Sequence, residues 1–280
     1  MVAKKQRIFE PALSQLDDDG VFGPIGFQDC LAEHGLPKKS TAPLISVDSL
    51  ERLSPELREA EAMVLRLGSP PGTSQTEFAI VQIPGKVKSF FLLPDDEPQS
   101  EPFLPTATWR DLYAFQILGR LTESSLVNLS LASGLLSYAL GLDDDRQAVV
   151  PATGQSTFTF DYQPHDDLPR TFTHHNGQVE IDALFFGRRK SVDCLFIVEA
   201  KMGPGVKSIA KHKLVYPILA VATQLPPGIS IIPVYLHVTS EPNGYLFRVV
   251  ECKIPNLHPN TPVLSHLVPI SRTHLMLPLP

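Results

Sequence analysis

The chain has 280 residues, a hydrophobic fraction of 43%, a charged fraction of 19% and a formal net charge of −6. These values are typical of a soluble globular protein with a buried core. The negative charge weighs against nucleic-acid binding, because Lys and Arg drive that binding. The basic residues cluster along the sequence, however, so net charge alone does not exclude a nucleic acid.

The spacing of the cysteines and the shortness of the apolar runs weigh against disulfide-rich, zinc-ribbon, secreted and membrane proteins. The three cysteines are far apart and form no Cys-x-x-Cys pair, so a zinc ribbon or a disulfide framework is not expected. No apolar run reaches the length of a signal peptide core or a membrane helix. We therefore expect a cytoplasmic protein with no membrane partner.

The first hundred residues predict a small α+β domain. Helices are expected at 26–34 and 49–61, and strands at 62–67, 77–83 and 89–93. The acidic, proline-rich stretch 95–105 predicts a linker. We place one domain at residues 1–100, with a possible role in DNA binding, and a second, catalytic domain at residues 101–280.

A helical region is expected from residue 108 to about 140, with a break near Gly119. Thr122 is a plausible N-cap, which would place Glu123 in the first turn of a helix. Glu123 could therefore serve the helix end or a metal site, and the sequence leaves both roles open. A strand is expected at 156–162, and His174-His175-Asn176 indicates a polar loop.

The stretch 178–201 carries the most specific chemical signal. Two apolar runs flank the turn 187–191, which predicts an antiparallel hairpin. Because side chains alternate along a strand, Glu199 and Lys201 share one face, and the hairpin brings Asp182 close to them. Two carboxylates this close need a cation, and Mg²⁺ binds such oxygens while keeping several waters. Each triplet alone is more often structural, and their joint occurrence favours a nuclease.

This segment resembles the core of the PD-(D/E)xK nuclease superfamily, which includes many type II restriction endonucleases. Asp182 corresponds to the first acid of the motif, Glu199-Ala200-Lys201 to the second part, and Glu123 to an acid that members often carry on a preceding helix. The resemblance implies an α/β fold with a mixed sheet flanked by helices. Ile181 replaces the usual proline, so either Glu180 or Asp182 could be the metal ligand, and we favour Asp182.

Beyond the hairpin, a helix is expected at 208–223 and strands at 229–238 and 245–251. Pro233 indicates that the first of these strands is irregular or at an edge. The last thirty residues, rich in proline, predict an extended surface tail. Basic residues around the hairpin and the following helix are candidates for phosphate contacts: Arg188, Arg189, Lys211 and Lys213.

Together these features predict a Mg²⁺-dependent endodeoxyribonuclease acting on double-stranded DNA, with Mn²⁺ as a substitute metal. Asp182 and Glu199 would bind the metal, Lys201 would orient or help deprotonate the attacking water, and Glu123 would complete the site. A homodimer would match a palindromic DNA site. A repair or junction nuclease on the same scaffold and a non-catalytic DNA-binding protein remain alternatives.

Overall fold

The structure is a computed structural model that describes residues 7–73, 75–94, 99–118, 120–143, 150–255 and 261–278. Its α-helices within these ranges are α1 (Glu10–Leu13), α2 (Phe27–Glu33), α3 (Ala42–Ile45), α4 (Pro55–Glu59), α5 (Trp109–Gln116), α6 (Glu123–Ala132), α7 (Leu135–Ala139) and α8 (His212–Ala222). Its strands are β1 (Val21–Gly26), β2 (Ala62–Gly68), β3 (Glu77–Gln82), β4 (Phe91–Leu92), β5 (Glu101–Pro102), β6 (Ala152–Tyr162), β7 (Phe172–Arg189), β8 (Val192–Met202), β9 (Ile209–Ala210), β10 (Ser230–Glu241), β11 (Gly244–Lys253) and β12 (Val268–Pro278).

A large mixed sheet organises the molecule, as the sequence predicted. Its strand order is β1-β3-β2-β7-β8-β10-β11-β12-β5, and β6 pairs with β7. Strands β8 and β10 run parallel, with α8 between them in the chain, whereas β7–β8 and β10–β11 are antiparallel. Parallel neighbours need such a crossover, because a short turn can join only antiparallel strands.

Helices pack on both faces of this sheet, and successive side chains of β8 point alternately to the two faces. Leu195 and Ile197 join one hydrophobic core with α8 and the N-terminal elements. Phe196, Val198 and Ala200 point the other way, into a second core with α5, α6 and α7. A strand buried on both faces reads as a continuous apolar run, which explains the sequence of β8. Among the described residues, no helix is both long and apolar enough to cross a membrane.

Two predicted helices are shorter than expected. Residues 49–61 form a 3-10 turn (Leu50–Arg52) and the short helix α4, separated by Leu53 and Ser54. The helix predicted from residue 208 begins only at His212, because Ile209 and Ala210 pair with β4 instead. The helical region 108–140 divides into α5, α6 and α7, with a left-handed Gly134 (φ +80°) at the second break.

Three predictions about the C-terminal half were wrong. The last residues are not a surface tail, because β12 pairs with β11 along most of its length. Strand β10 is not an edge strand, because it pairs with β8 on one side and β11 on the other. Pro233 lies in the first part of β10, which pairs with β8 but precedes the residues that pair with β11. The missing N–H of that proline therefore costs no ladder bond on the β11 side. His174 and His175 lie within β7 and not in a loop.

The boundary between the two predicted domains is crossed by the sheet. Strand β2 meets β7 at the single pair Gly68 and His175, which joins the N-terminal strands to the central ones. The predicted linker 95–105 falls partly outside the described residues, and Glu101–Pro102 within it form β5 beside β12. The division at residue 100 stays a prediction.

Candidate active site

The hairpin of β7 and β8 is regular from its turn to the residues next to Asp182 and Glu199. Lys190 and Ser191 form a two-residue turn with φ of +50° and +62°, so the turn is shorter than predicted. The ladder runs from Arg189 opposite Val192 to Ala183 opposite Val198. Next to that pair, the backbone N–H of Ala200 donates a hydrogen bond to Asp182 Oδ2 at 2.8 Å. Asp182 is thereby fixed against the end of β8.

A β-bulge lies at Asp182. Against β6, Ala152 pairs with Leu184 but Gly154 pairs with Ile181, so β7 carries one extra residue between those pairs. Ile181 consequently packs with the same core as Leu184, which a regular strand would place on the opposite face. Bulges redirect side chains and are common beside active sites. Here Glu180 is exposed while Asp182 is half-buried.

Three carboxylates converge on the ammonium group of Lys201. The Lys201 Nζ atom lies 2.9 Å from Glu199 Oε1, 3.2 Å from Glu123 Oε2 and 3.9 Å from Asp182 Oδ2. It also donates to the backbone carbonyl of Ala200 at 2.9 Å. The four residues that the sequence singled out therefore meet at one place in the fold.

Burial and charge shift the titration of this cluster. Burial is the main cause that raises the pKa of Glu199 to about 7, and the neighbouring Asp182 adds to it, against the opposing effect of Lys201. Burial lowers the pKa of Lys201, but Glu199, Asp182 and Glu123 outweigh it and raise that pKa above its ordinary value. Lys201 is therefore a permanent cation at neutral pH.

Glu123 reaches the cluster from the other side of the sheet. It is the first residue of α6, whose N-cap Thr122 accepts a hydrogen bond from the Ser125 N–H at 3.2 Å. Thr122 already satisfies the helix end, as predicted. The carboxylate of Glu123 is aimed at Lys201, so the structure favours the site over the helix end as its partner.

A pocket opens beside the carboxylates, and sequence reasoning missed Arg66, His174 and Tyr216 in its far wall. That wall is formed by residues of β2, β7 and α8, including Arg66, His174, His212, Lys213 and Tyr216. Arg66 is the sole charged residue in the apolar strand β2, which was a signal in the sequence. Burial lowers the pKa of His174 to about 4 and that of His212 to about 3, so both imidazoles are neutral.

The four residues predicted to contact phosphates are dispersed. Arg189 makes two hydrogen bonds of 2.9 Å to the buried carboxylate of Glu251, and Arg188 pairs with Asp193, both near the hairpin turn. Lys211 is buried and donates to the Ser265 carbonyl at 2.6 Å. Lys213 lines the pocket, where its Nζ lies 3.0 Å from Asp48 Oδ1.

The donor set fits a hard divalent cation bound largely through water. Within the described part of the chain, no three His, Cys, Asp or Glu side chains are close enough together to hold a metal ion among themselves. Mg²⁺ does not require three, since it usually takes one or two carboxylates and keeps its waters. Glu199 and Asp182 supply two such carboxylates, and with Glu123 they place three acids around the ammonium of Lys201.

One comparison with known proteins is informative. Residues 85–260, more than half of the chain, match the family described as a domain of unknown function, DUF6997. No curated protein and no solved structure matches the chain. The matched region contains Glu123, Asp182, Glu199 and Lys201. The chain belongs to the DUF6997 family.

Proposed function

We propose that the protein is a Mg²⁺-dependent endodeoxyribonuclease of the type II restriction kind, with a core related to the PD-(D/E)xK nucleases. The observation that carries the proposal is the convergence of Glu123, Asp182 and Glu199 on Lys201 beside an open pocket. Carboxylates and a lysine on two adjacent interior strands of the sheet, beside an open pocket, are suited to phosphodiester hydrolysis. That reaction needs a metal ion, a water and stabilisation of phosphoryl charge.

Asp182 and Glu199 are the residues that would hold the metal. Mg²⁺, or Mn²⁺ in its place, supplies an activated water and positive charge beside the phosphate when bound. Asp182 is suited to this role because its Oδ2 is fixed by the Ala200 N–H. Glu199 is suited because it is buried and yet lines the pocket.

Lys201 would act as a cation and not as a base. Its carboxylate neighbours raise its pKa, so it keeps its proton at the pH of the cell. A fixed ammonium can orient the attacking water and stabilise the negative charge that develops on the phosphoryl oxygens. Glu123 holds this ammonium from the α6 side and would contact the metal through a water.

The arrangement of elements supports the proposed relationship. A helix with an acid at its start (α6), an antiparallel hairpin with the acids (β7–β8) and a crossover helix to a parallel strand (α8, β10) follow one another in the chain. The acid at the start of the helix before the hairpin, and the mixed sheet with helices on its faces, agree with what the resemblance implies for the catalytic core. Double-stranded DNA as substrate and a homodimer that cuts both strands are part of the same proposal.

The direct test is cleavage of supercoiled plasmid DNA in the presence of Mg²⁺ or Mn²⁺. Wild-type protein should cut, and EDTA should stop the reaction. Lys201→Ala should abolish cleavage while largely preserving DNA binding, because it removes the ammonium and leaves the pocket open. Lys253→Ala is the matched control, since Lys253 is an exposed lysine at the end of β11. It should cut like wild type.

The products separate the possible kinds of nuclease. Discrete fragments from plasmid DNA support a restriction enzyme, and preferential cutting of branched DNA supports a repair or junction nuclease. Absence of cutting by wild type with either metal would overturn both and favour a non-catalytic DNA-binding protein.

A further inference from the structure

Arg66 brings a charge from the N-terminal elements into the candidate active site. It lies in β2, whose other residues are apolar or glycine, and its side chain lines the same pocket as Asp182, Glu199 and Lys201. Strand β2 reaches β7 at Gly68 and His175, two residues beyond Arg66. The N-terminal elements therefore form one wall of the pocket whose other wall holds the carboxylates.

The guanidinium group of Arg66 has one long hydrogen bond and an unsatisfied donor. Its Nη1 lies 3.4 Å from Ser46 Oγ, and its buried Nε has no hydrogen-bond partner. Within the described ranges, no carboxylate lies within 4.0 Å of it. Burial lowers the pKa of Arg66, as expected for a cation that is withdrawn from water without an ion pair. Such a group costs stability, so packing does not account for it.

The backbone at Arg66, in contrast, is firmly anchored. Neutral His174 donates from Nδ1 to the Arg66 carbonyl at 3.2 Å, which ties β2 to β7. Tyr216 of α8 has its Oη 3.5 Å from the same carbonyl and 2.7 Å from Tyr162 Oη. Three elements thus fix the residue, while its guanidinium group is presented to the pocket. This combination is typical of a residue that waits for a ligand.

We infer that Arg66 binds a phosphate of the substrate strand next to the phosphate that is cleaved. This inference rests on the proposed nuclease function. A guanidinium group offers a planar set of donors that matches two phosphate oxygens, and it binds them more strongly in a partly buried pocket than in water. The carboxylates and Lys201 on one wall would act on the scissile phosphate, while Arg66 on the other wall fixes the position of the strand.

The test compares Arg66→Gln and Arg66→Lys with wild type, using a fluorescently labelled DNA duplex of mixed sequence in EDTA. Arg66→Gln should weaken binding about tenfold, the value expected for a charge-assisted contact. It should also reduce the salt dependence of binding by about 0.9, the slope that one phosphate contact contributes in duplex DNA. Arg66→Lys should keep that slope. Arg110→Gln, at an exposed arginine of α5, is the matched control and should behave as wild type.

Two further readouts separate a ligand contact from a structural role. In cleavage assays Arg66→Gln should raise KM more than it lowers kcat. The reason is that the contact between Arg66 and the DNA phosphate forms in the bound substrate as well as in the transition state. Its thermal midpoint should be no lower than that of wild type, because the variant removes a buried cation without a carboxylate partner. A lower midpoint, together with unchanged DNA affinity and salt slope, would show that Arg66 is structural and would overturn the inference.

Failure of this inference differs from failure of the proposed function. If wild type cuts DNA and Lys201→Ala does not, but Arg66→Gln binds DNA as wild type does, the inference alone is wrong. If neither wild type nor any variant cuts DNA, but Arg66→Gln still lowers the DNA affinity and the salt slope, the phosphate contact is supported and the proposed nuclease activity is wrong. If wild type binds no DNA, both are overturned.

Discussion

Lys201 lies among three carboxylates, whereas Lys211, just before α8, has its Nζ 2.6 Å from the carbonyl oxygen of Ser265. The carboxylates raise the pKa of Lys201, while burial lowers the pKa of Lys211 to about 8. The two lysines had been expected to serve the same substrate. Their surroundings give the first a role in the site and make the second a buried group that titrates near physiological pH.

Lys211 should therefore make the stability of the protein depend on pH. Its pKa in the folded protein is about 8 and its ordinary value is 10.5, so the unfolded chain binds more protons between these values. The free energy of unfolding should rise with pH between about 8 and 10.5. Below pH 8 the buried Lys211 is charged, and its full destabilising effect lowers the free energy of unfolding. Urea unfolding of wild type and Lys211→Met at several pH values measures this.

The free energy of unfolding of wild type should rise relative to that of Lys211→Met as the pH goes from about 8 to 10.5. Lys253→Met, which removes an exposed lysine, controls for the loss of a surface charge. Parallel pH profiles for wild type and Lys211→Met would show that Lys211 is not buried as described.

At the scale of elements, the hairpin β7–β8 was largely predictable and its bulge was not. Apolar runs, a basic turn and strand parity were enough to predict that Glu199, Lys201 and Asp182 come together. The bulge depends on the pairing of β7 with β6, a separate strand whose register the local sequence of β7 does not contain. For the same reason, parity could not separate Glu180 from Asp182.

The turn of that hairpin predicts a stabilising change. Lys190 and Ser191 both adopt positive φ, which Asn and Gly tolerate better in a two-residue turn. The double variant Lys190→Asn with Ser191→Gly should raise the free energy of unfolding by about 1 kcal/mol. The backbone N–H groups that donate to Asp143 are retained, so the turn keeps its anchor.

Chemical denaturation of the double variant and of Ser191→Ala tests this prediction. Alanine keeps the penalty of positive φ, so Ser191→Ala should bring no gain. Cleavage should not change in either variant, because the turn lies at the opposite end of the hairpin from Lys201. A double variant no more stable than wild type would contradict the turn geometry.

At the scale of the whole molecule, the N-terminal strands meet the central sheet where Gly68 of β2 pairs with His175 of β7. Gly68 has φ +78°, and a Cβ atom there would lie 2.2 Å from the His175 carbonyl oxygen. This contact was not predictable from the sequence, because a single residue pair leaves no periodic pattern. The position of Arg66 in the pocket depends on this pair and on the contacts of His174 and Tyr216 with its carbonyl. All of these join residues far apart in the chain, so sequence reasoning missed Arg66.

Gly68→Ala should therefore destabilise the protein by at least about 2 kcal/mol, since it adds both left-handed strain and a clash with backbone. Gly72→Ala is the matched control. Gly72 has φ +82° but no atom within 4 Å of the added Cβ, so it should cost about 1 kcal/mol from strain alone. Urea unfolding measures both, and equal costs for the two variants would argue against the close approach of β2 and β7.

The central claim is that Asp182, with Glu199, forms the metal site of a nuclease. The measurement that tests it most directly is the rate of Mg²⁺-dependent nicking of supercoiled plasmid by wild type, Asp182→Asn and Glu180→Gln. Asparagine can still accept the Ala200 N–H, so Asp182→Asn removes the charge and keeps the local fold. We expect its rate to fall on the order of a hundredfold or more, while Glu180→Gln keeps a rate near that of wild type. Equal rates for Asp182→Asn and wild type, or loss of activity in Glu180→Gln alone, would contradict this account.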